Sequence, residues 1–238
     1  AHELSNIAWS CAKLDVHDAR LLHKFAEVAT YRLREAKPQE VSSLAWAYAT
    51  LLVIDADLCG SVSQQAMNQC REFKPQEMSN LMWSFATAMI PCPGLASRVS
   101  QEVRQKIKLF EHQDLSNTAW AFATMIVEDD DLFHVISQEA GAKLDYLSSQ
   151  SAANVAWAFA TASVSATVHS QGLLRRMASA VCNQRWDFRA QEAASLLWAY
   201  ATLSMADPEM FRSVASGACQ HIEDFKPQEL SNIAWSHA

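Results

Sequence analysis

Apolar and small residues recur along this chain on a fixed beat. The windows QEVSSLAWAYATL, QEMSNLMWSFATA, QDLSNTAWAFATM, QSAANVAWAFATA and QEAASLLWAYATL align on a tryptophan, and HELSNIAWSCAKL and QELSNIAWSHA open and close the series. The anchors are Trp9, Trp46, Trp83, Trp120, Trp157, Trp198 and Trp235, spaced by 37 residues except for one interval of 41. Counted from the tryptophan, positions −5, −2, −1, +2 and +6 are apolar, which follows the 3.6-residue period of an amphipathic helix. This helix A is predicted to start near position −8, where Pro38, Pro75 and Pro227 suit a first turn, and to end about five residues past the tryptophan. A second helix B follows each turn, with apolar residues three and four apart over 21–36 and 131–147. The 41-residue interval adds about one helical turn to helix B or its loop.

A lone hairpin of this kind cannot bury its apolar stripe, whereas stacked hairpins share one core. The pattern therefore predicts an all-α fold, an α-solenoid of tandem two-helix repeats with six full units and a final helix A. The array runs over 1–238 without an internal boundary. It opens and closes inside a helix A with no polar capping unit, so the sequence reads as a segment of a longer protein.

At about 100° per residue, with the tryptophan at zero, the apolar positions centre near about 215° and the opposite face near about 35°. That opposite face carries Gln at −7, Asn or Ser at −3 and Thr at +4, with Ser or Ala at +1. The tryptophan lies at its border. Two readings of the column stand. Either the rings wedge between successive A helices with their indole N–H groups bonded to neighbours, or they form a partly exposed ladder for stacking nucleobases or basic side chains.

Two polar columns vary from unit to unit within a constant frame. Position −3 reads Asn6, Ser43, Asn80, Asn117, Asn154, Ser195 and Asn232, and position +1 is alanine except for Ser10, Ser84 and Ser236. Amide, hydroxyl and methyl groups presented one per unit suit a reader of one base per repeat. The alternative is structural: Asn bridges to the next unit's backbone, and the small residues keep that face thin. At −9, Lys37, Lys74, Arg189 and Lys226 stand beside helix N-termini and would line a phosphate track. The acid three residues on, at −6, would instead cap the helix or pair with the base.

Composition narrows the classes. With 50% hydrophobic residues, 19% charged residues, five Gly and six Pro, the chain is a folded helical protein rather than a disordered or all-β one. No apolar run approaches the ~18 residues of a membrane span. Six Cys form no CxxC pair and eight His show no ligand spacing, so we expect reduced thiols and neither metal nor cofactor. No phosphate loop, nucleophile motif or isolated carboxylate pair is present, and the expectation is a binding protein rather than an enzyme. The net charge of −7 argues against a general polyanion binder.

The unit FKPQELSNIAWS at 225–236, with FKPQEMSNLMWSFAT at 73–87 and LSNTAWAFAT at 115–124, resembles the octotricopeptide and heptatricopeptide repeat families. Similar repeats occur in subunits of the kinetoplastid RNA-editing substrate-binding complex. The resemblance implies a two-helix solenoid that binds single-stranded RNA, ribosomal or other organellar transcripts, in a mitochondrion or plastid. The roles it implies are RNA processing, stability or ribosome assembly, beside other protein subunits of a ribonucleoprotein complex and away from membranes. Pro227, Gln228, Leu230, Asn232 and Trp235 match the family's helix A frame. The alternatives are an armadillo-like module holding a basic peptide by its Asn and Trp ladder, and a purely structural scaffold subunit.

Overall fold

A computed structural model describes residues 2–162, 168–183, 186–205, 207–220 and 222–236. Among them are thirteen α-helices, with no strand. The A helices are α1 (His2–Lys13), α3 (Pro38–Thr50), α5 (Pro75–Thr87), α7 (His112–Thr124), α9 (Ser149–Thr161), α11 (Ala190–Thr202) and α13 (Pro227–Ser236). The B helices are α2 (Ala19–Arg32), α4 (Ala56–Asn68), α6 (Pro93–Lys106), α8 (Asp130–Ala142), α10 (Val168–Cys182) and α12 (Pro208–Gln220). Neighbouring helices pack consecutively as an α-solenoid of helical repeats, and the chain forms two compact units, Ala1–Asp114 and Leu115–Ala238. At 15 residues α10 is one residue longer than α2 and α6, so helix B itself takes up little of the extra turn expected for the 41-residue interval; residues 163–167 before it lie outside the described residues.

The start of helix A follows from its sequence. Proline opens α3, α5 and α13, and the acid at −6 closes the cap: Glu40, Glu77 and Glu229 accept the backbone N–H of Lys37, Lys74 and Lys226 at 2.7–2.9 Å. Each of these bases is preceded by a short 3-10 turn, such as Leu33–Glu35 or Cys70–Glu72, that the helical period did not announce. The end of helix A departs from expectation. Position +6 is not core: Leu52, Met89 and Ile126 have left-handed backbones (φ 53 to 55°) and are 73–84% exposed. They occupy the C′ site of a Schellman cap, in which Val53 N–H reaches Tyr48 O at 3.0 Å and Leu52 N–H reaches Ala49 O at 3.1 Å. Glycine normally takes this site, and an L side chain there costs about 1–2 kcal/mol.

Within each unit the A helices pack on one another more extensively than any other elements. The terminal helices show which faces meet. Among the described residues α1, packed only on a following A helix, buries Ser5, Ala8 and Ala12 at −4, −1 and +3; α13, packed only on a preceding one, buries Ser236 at +1. Small residues on both faces let successive helices approach closely. The larger apolar positions fill the space between the A and B layers. In unit Leu115–Ala238, Phe133 of α8 meets Phe159 of α9 edge to face at 5.4 Å. In both units a tyrosine at +2 crosses that space: Tyr48 and Tyr200 donate their hydroxyls to Leu22 O and Leu174 O at 2.6 Å.

Candidate nucleic-acid interface

Position −7, −3, 0 and +4 lie one above another on helix A, because steps of four, three and four residues return to the same side. Each A helix thus carries a ridge of Gln, Asn or Ser, Trp, and Thr. The glutamines (Gln39, Gln76, Gln113, Gln150, Gln191, Gln228) are all exposed. They were legible in the sequence as the one polar residue common to six units, yet the base-reading set left them out.

The tryptophans form a ladder. In unit Leu115–Ala238, Trp120 and Trp157 lie 6.3 Å apart between ring centroids, tilted by 31°, and Trp157 and Trp198 lie 6.5 Å apart, tilted by 32°. Trp46, Trp83, Trp120, Trp157 and Trp198 are half-buried, whereas Trp9 and Trp235 on the terminal helices are exposed by 46% and 56%. The indole N–H groups of Trp46, Trp157 and Trp198 make no hydrogen bond among the described residues and are not sealed from solvent, so the expected bond to a neighbour is absent there. In unit Ala1–Asp114 a cation joins the ladder. Lys13, at the +4 position that holds Thr elsewhere, places Nζ 5.5 Å from the Trp9 ring and 5.1 Å from the Trp46 ring. Sequence reasoning passed over Lys13, although it breaks the column.

Position −3 remains open to solvent. Asn6 is exposed, and Ser43, Asn80, Asn117, Asn154, Ser195 and Asn232 are half-buried. Asn6 Nδ2 contacts His2 Nε2 at 3.2 Å. The side chains of Asn80, Asn117, Asn154 and Asn232 make no hydrogen bond among the described residues. The expected bridge from Asn to the next unit's backbone is therefore not made.

Position +1 is a correction. Ser84 is only 3% exposed and Ser236 is buried, as are the alanines of this column, because +1 faces the preceding A helix. Ser84 Oγ donates to Asn80 O at 2.6 Å and Ser236 Oγ to Ile233 O at 2.7 Å. Ser10 is exposed on α1, which has no A helix before it among the described residues, and it too donates to its own helix, at Asn6 O, 2.8 Å. Of the two candidate columns, −3 alone stays open to solvent along the array.

At −9 the acid caps the backbone and leaves the base alone. The side chains of Lys37, Lys74, Arg189 and Lys226 are exposed and have no ion pair among the described residues, while Glu192 accepts Arg189 N–H at 3.0 Å. The basic residues of α6 behave otherwise. Lys106 is not a solvated surface lysine: its Nζ donates to Arg71 O at 2.6 Å and Phe73 O at 3.0 Å, and lies 3.9 Å from the buried Glu102 carboxylate.

The net charge is localised. From the last residue of helix A to the fifth residue of helix B, the chain holds ten carboxylates (Asp15, Asp18, Asp55, Asp57, Glu128, Asp129, Asp130, Asp131, Asp207, Glu209) against Lys13, Arg20 and Arg212, a net −7 equal to that of the whole chain. Several cap B helices: Asp18, Asp55 and Asp207 accept the N–H groups of Leu21, Leu58 and Met210. The rest of the chain, including the −9 column at the opposite end of every A helix, is neutral overall. The acidic balance thus falls away from Lys37, Lys74, Arg189 and Lys226. Burial pushes the Cys70 and Cys92 thiols up to about 11, so neither supplies a thiolate near neutral pH.

No curated protein matches the chain at a significant level. Over residues 1–205 the chain matches the model of the RNA-editing substrate-binding complex 6 protein family, and it belongs to that family.

Proposed function

We propose that this chain is a subunit of an RNA-editing substrate-binding complex and grips single-stranded RNA along the ridges of its A helices. The tryptophan ladder carries the reading. Successive rings at 6.3–6.5 Å, half-buried and reachable from solvent, offer stacking to any base. Beside the rings, Asn80, Asn117, Asn154 and Asn232 offer amides to base edges, and Lys37, Lys74, Arg189 and Lys226 offer unpaired cations to phosphates. The chain acts as binder and scaffold, without chemistry of its own, in an organelle: the mitochondrion, where editing of this kind takes place.

The test is retention of a random single-stranded RNA pool on the purified chain at about physiological salt, with sequencing of what stays bound. A short enriched motif is expected. Asn80, Asn117 and Asn154 replaced together by Ala should erase the motif and weaken binding by about tenfold or more. Unchanged affinity and unchanged preference would sink the base reader. One observation favours a second reading: Lys13 between Trp9 and Trp46 shows that the ladder accommodates an ammonium group. A basic-peptide pool run in parallel decides between the two, because an armadillo-like module would enrich Lys and Arg side chains.

A further inference from the structure

In unit Ala1–Asp114 the C-terminal ends of α3 and α5 present large apolar side chains to solvent. Leu52 is 73% exposed, Ile54 63% and Met89 84%. Two of them also hold left-handed backbones, Leu52 at φ 54° and Met89 at φ 53°, where glycine would cap the same helix without steric strain. The fold therefore carries both a conformational and a solvation penalty at Leu52 and Met89. Neither penalty is repaid inside the chain. Strain of this kind persists where the side chain serves something besides the fold, and exposed apolar rows mark interaction surfaces.

The charge around the row indicates what covers it. The turns into α2 and α4 carry Asp15, Asp18, Asp55 and Asp57 against Lys13 and Arg20, and Lys13 is drawn over the tryptophans. Packed parallel helices bring their ends about 8–10 Å apart, which is close to the rise of seven residues of a helix, about 10.5 Å. We propose that the A-to-B turns of this unit dock an amphipathic basic helix of a partner protein, which sets one apolar residue per heptad against Leu52 and Met89 and its lysines or arginines against the aspartates. This surface is separate from the tryptophan ridges and needs no RNA.

The test uses two labelled Leu/Lys peptides of identical composition, about three heptads long, one with its leucines on a single helical face and one shuffled. Fluorescence anisotropy with the 238-residue chain should show the amphipathic peptide binding at least about tenfold more tightly than the shuffled one. The double variant Leu52→Gly, Met89→Gly should lose that preference and yet melt about 2–4 °C higher, since glycine relieves the left-handed strain. Its retention of the RNA pool should stay at the level of the parent chain, so failure here is separable from failure of the RNA reading. The proposal is overturned if the double variant keeps the preference, if both peptides bind alike through charge alone, or if neither binds. It is equally overturned if sedimentation shows the parent chain pairing with itself and the glycine variant monomeric, which would make a second copy the occupant.

Discussion

Tyr48 and Tyr200 differ from Phe85, Phe122 and Phe159 in the same column by a single oxygen, and that oxygen ties helix A to the carbonyl of Leu22 or Leu174 in the helix B before it. Burial holds both phenols above their ordinary value, so they remain donors at neutral pH and well above it. Asp114 is the residue whose ionisation the fold resists. It accepts Glu111 N–H at 3.1 Å and the Ser79 hydroxyl at 3.2 Å, but burial outweighs both bonds and raises its carboxyl above the usual aspartate value of 3.8. As pH climbs past 3.8 the unfolded chain releases this proton first, so stability declines between there and the raised folded value and stays lower beyond it. Asp114→Asn removes that decline. The melting-temperature difference between variant and parent should therefore grow in the variant's favour from pH 3 to pH 7, and a constant difference would refute the assignment.

Among the elements, the joint between repeats is set by one donor at or just past the end of helix B that reaches the carbonyl at −10, where its own unit begins. Gln69 reaches Ala36 O at 3.1 Å, Lys106 reaches Phe73 O at 3.0 Å, and Trp186, the one tryptophan outside the 37-residue series, reaches Leu147 O at 2.7 Å. Three side chains of different chemistry meet one geometric need, which is why no sequence column announces the joint. Lys106→Met should cost about 2–4 kcal/mol by thermal or urea unfolding, because it leaves the part-buried Phe73 carbonyl without its donor and takes one of three cations from the buried Glu102. A loss under about 0.5 kcal/mol, the ordinary cost of a surface change, would show the contact to be idle. Elements were legible wherever periodicity or a cap residue spoke. The +6 position misled because Leu52, Met89 and Ile126 continue the helical beat after the chain has left the helix, and no glycine marks the exit. The +1 serines misled for a different reason: a helical wheel gives the angle of a side chain but not the direction from which the next A helix arrives.

For the whole molecule, separation of charge matters more than its total. The net −7 resides in the A-to-B turns, while Lys37, Lys74 and Lys226 stand unpaired at the other ends of their helices. An RNA strand attracted to that column releases counterions at each phosphate it meets. Replacing these three lysines by Ala should flatten the slope of log affinity against log salt by about 2, at about 0.7 per single-strand phosphate, while leaving sequence preference as it was. A slope that does not change would remove the phosphate track from the account. The repeat and its polar face were readable from seven tryptophans, but the placement of the charge became visible only when the turns were assembled. The ladder has an optical consequence too. Indoles held 6.3–6.5 Å apart at a fixed tilt share their excited states, so Trp120, Trp157 and Trp198 absorb and emit as one coupled array. Light absorbed at one ring migrates before it leaves, which depolarises the emission and gives the near-ultraviolet circular dichroism a paired-sign band. A molecule sliding between any two rings would interrupt that migration, and the chain carries its own spectroscopic gauge of occupancy.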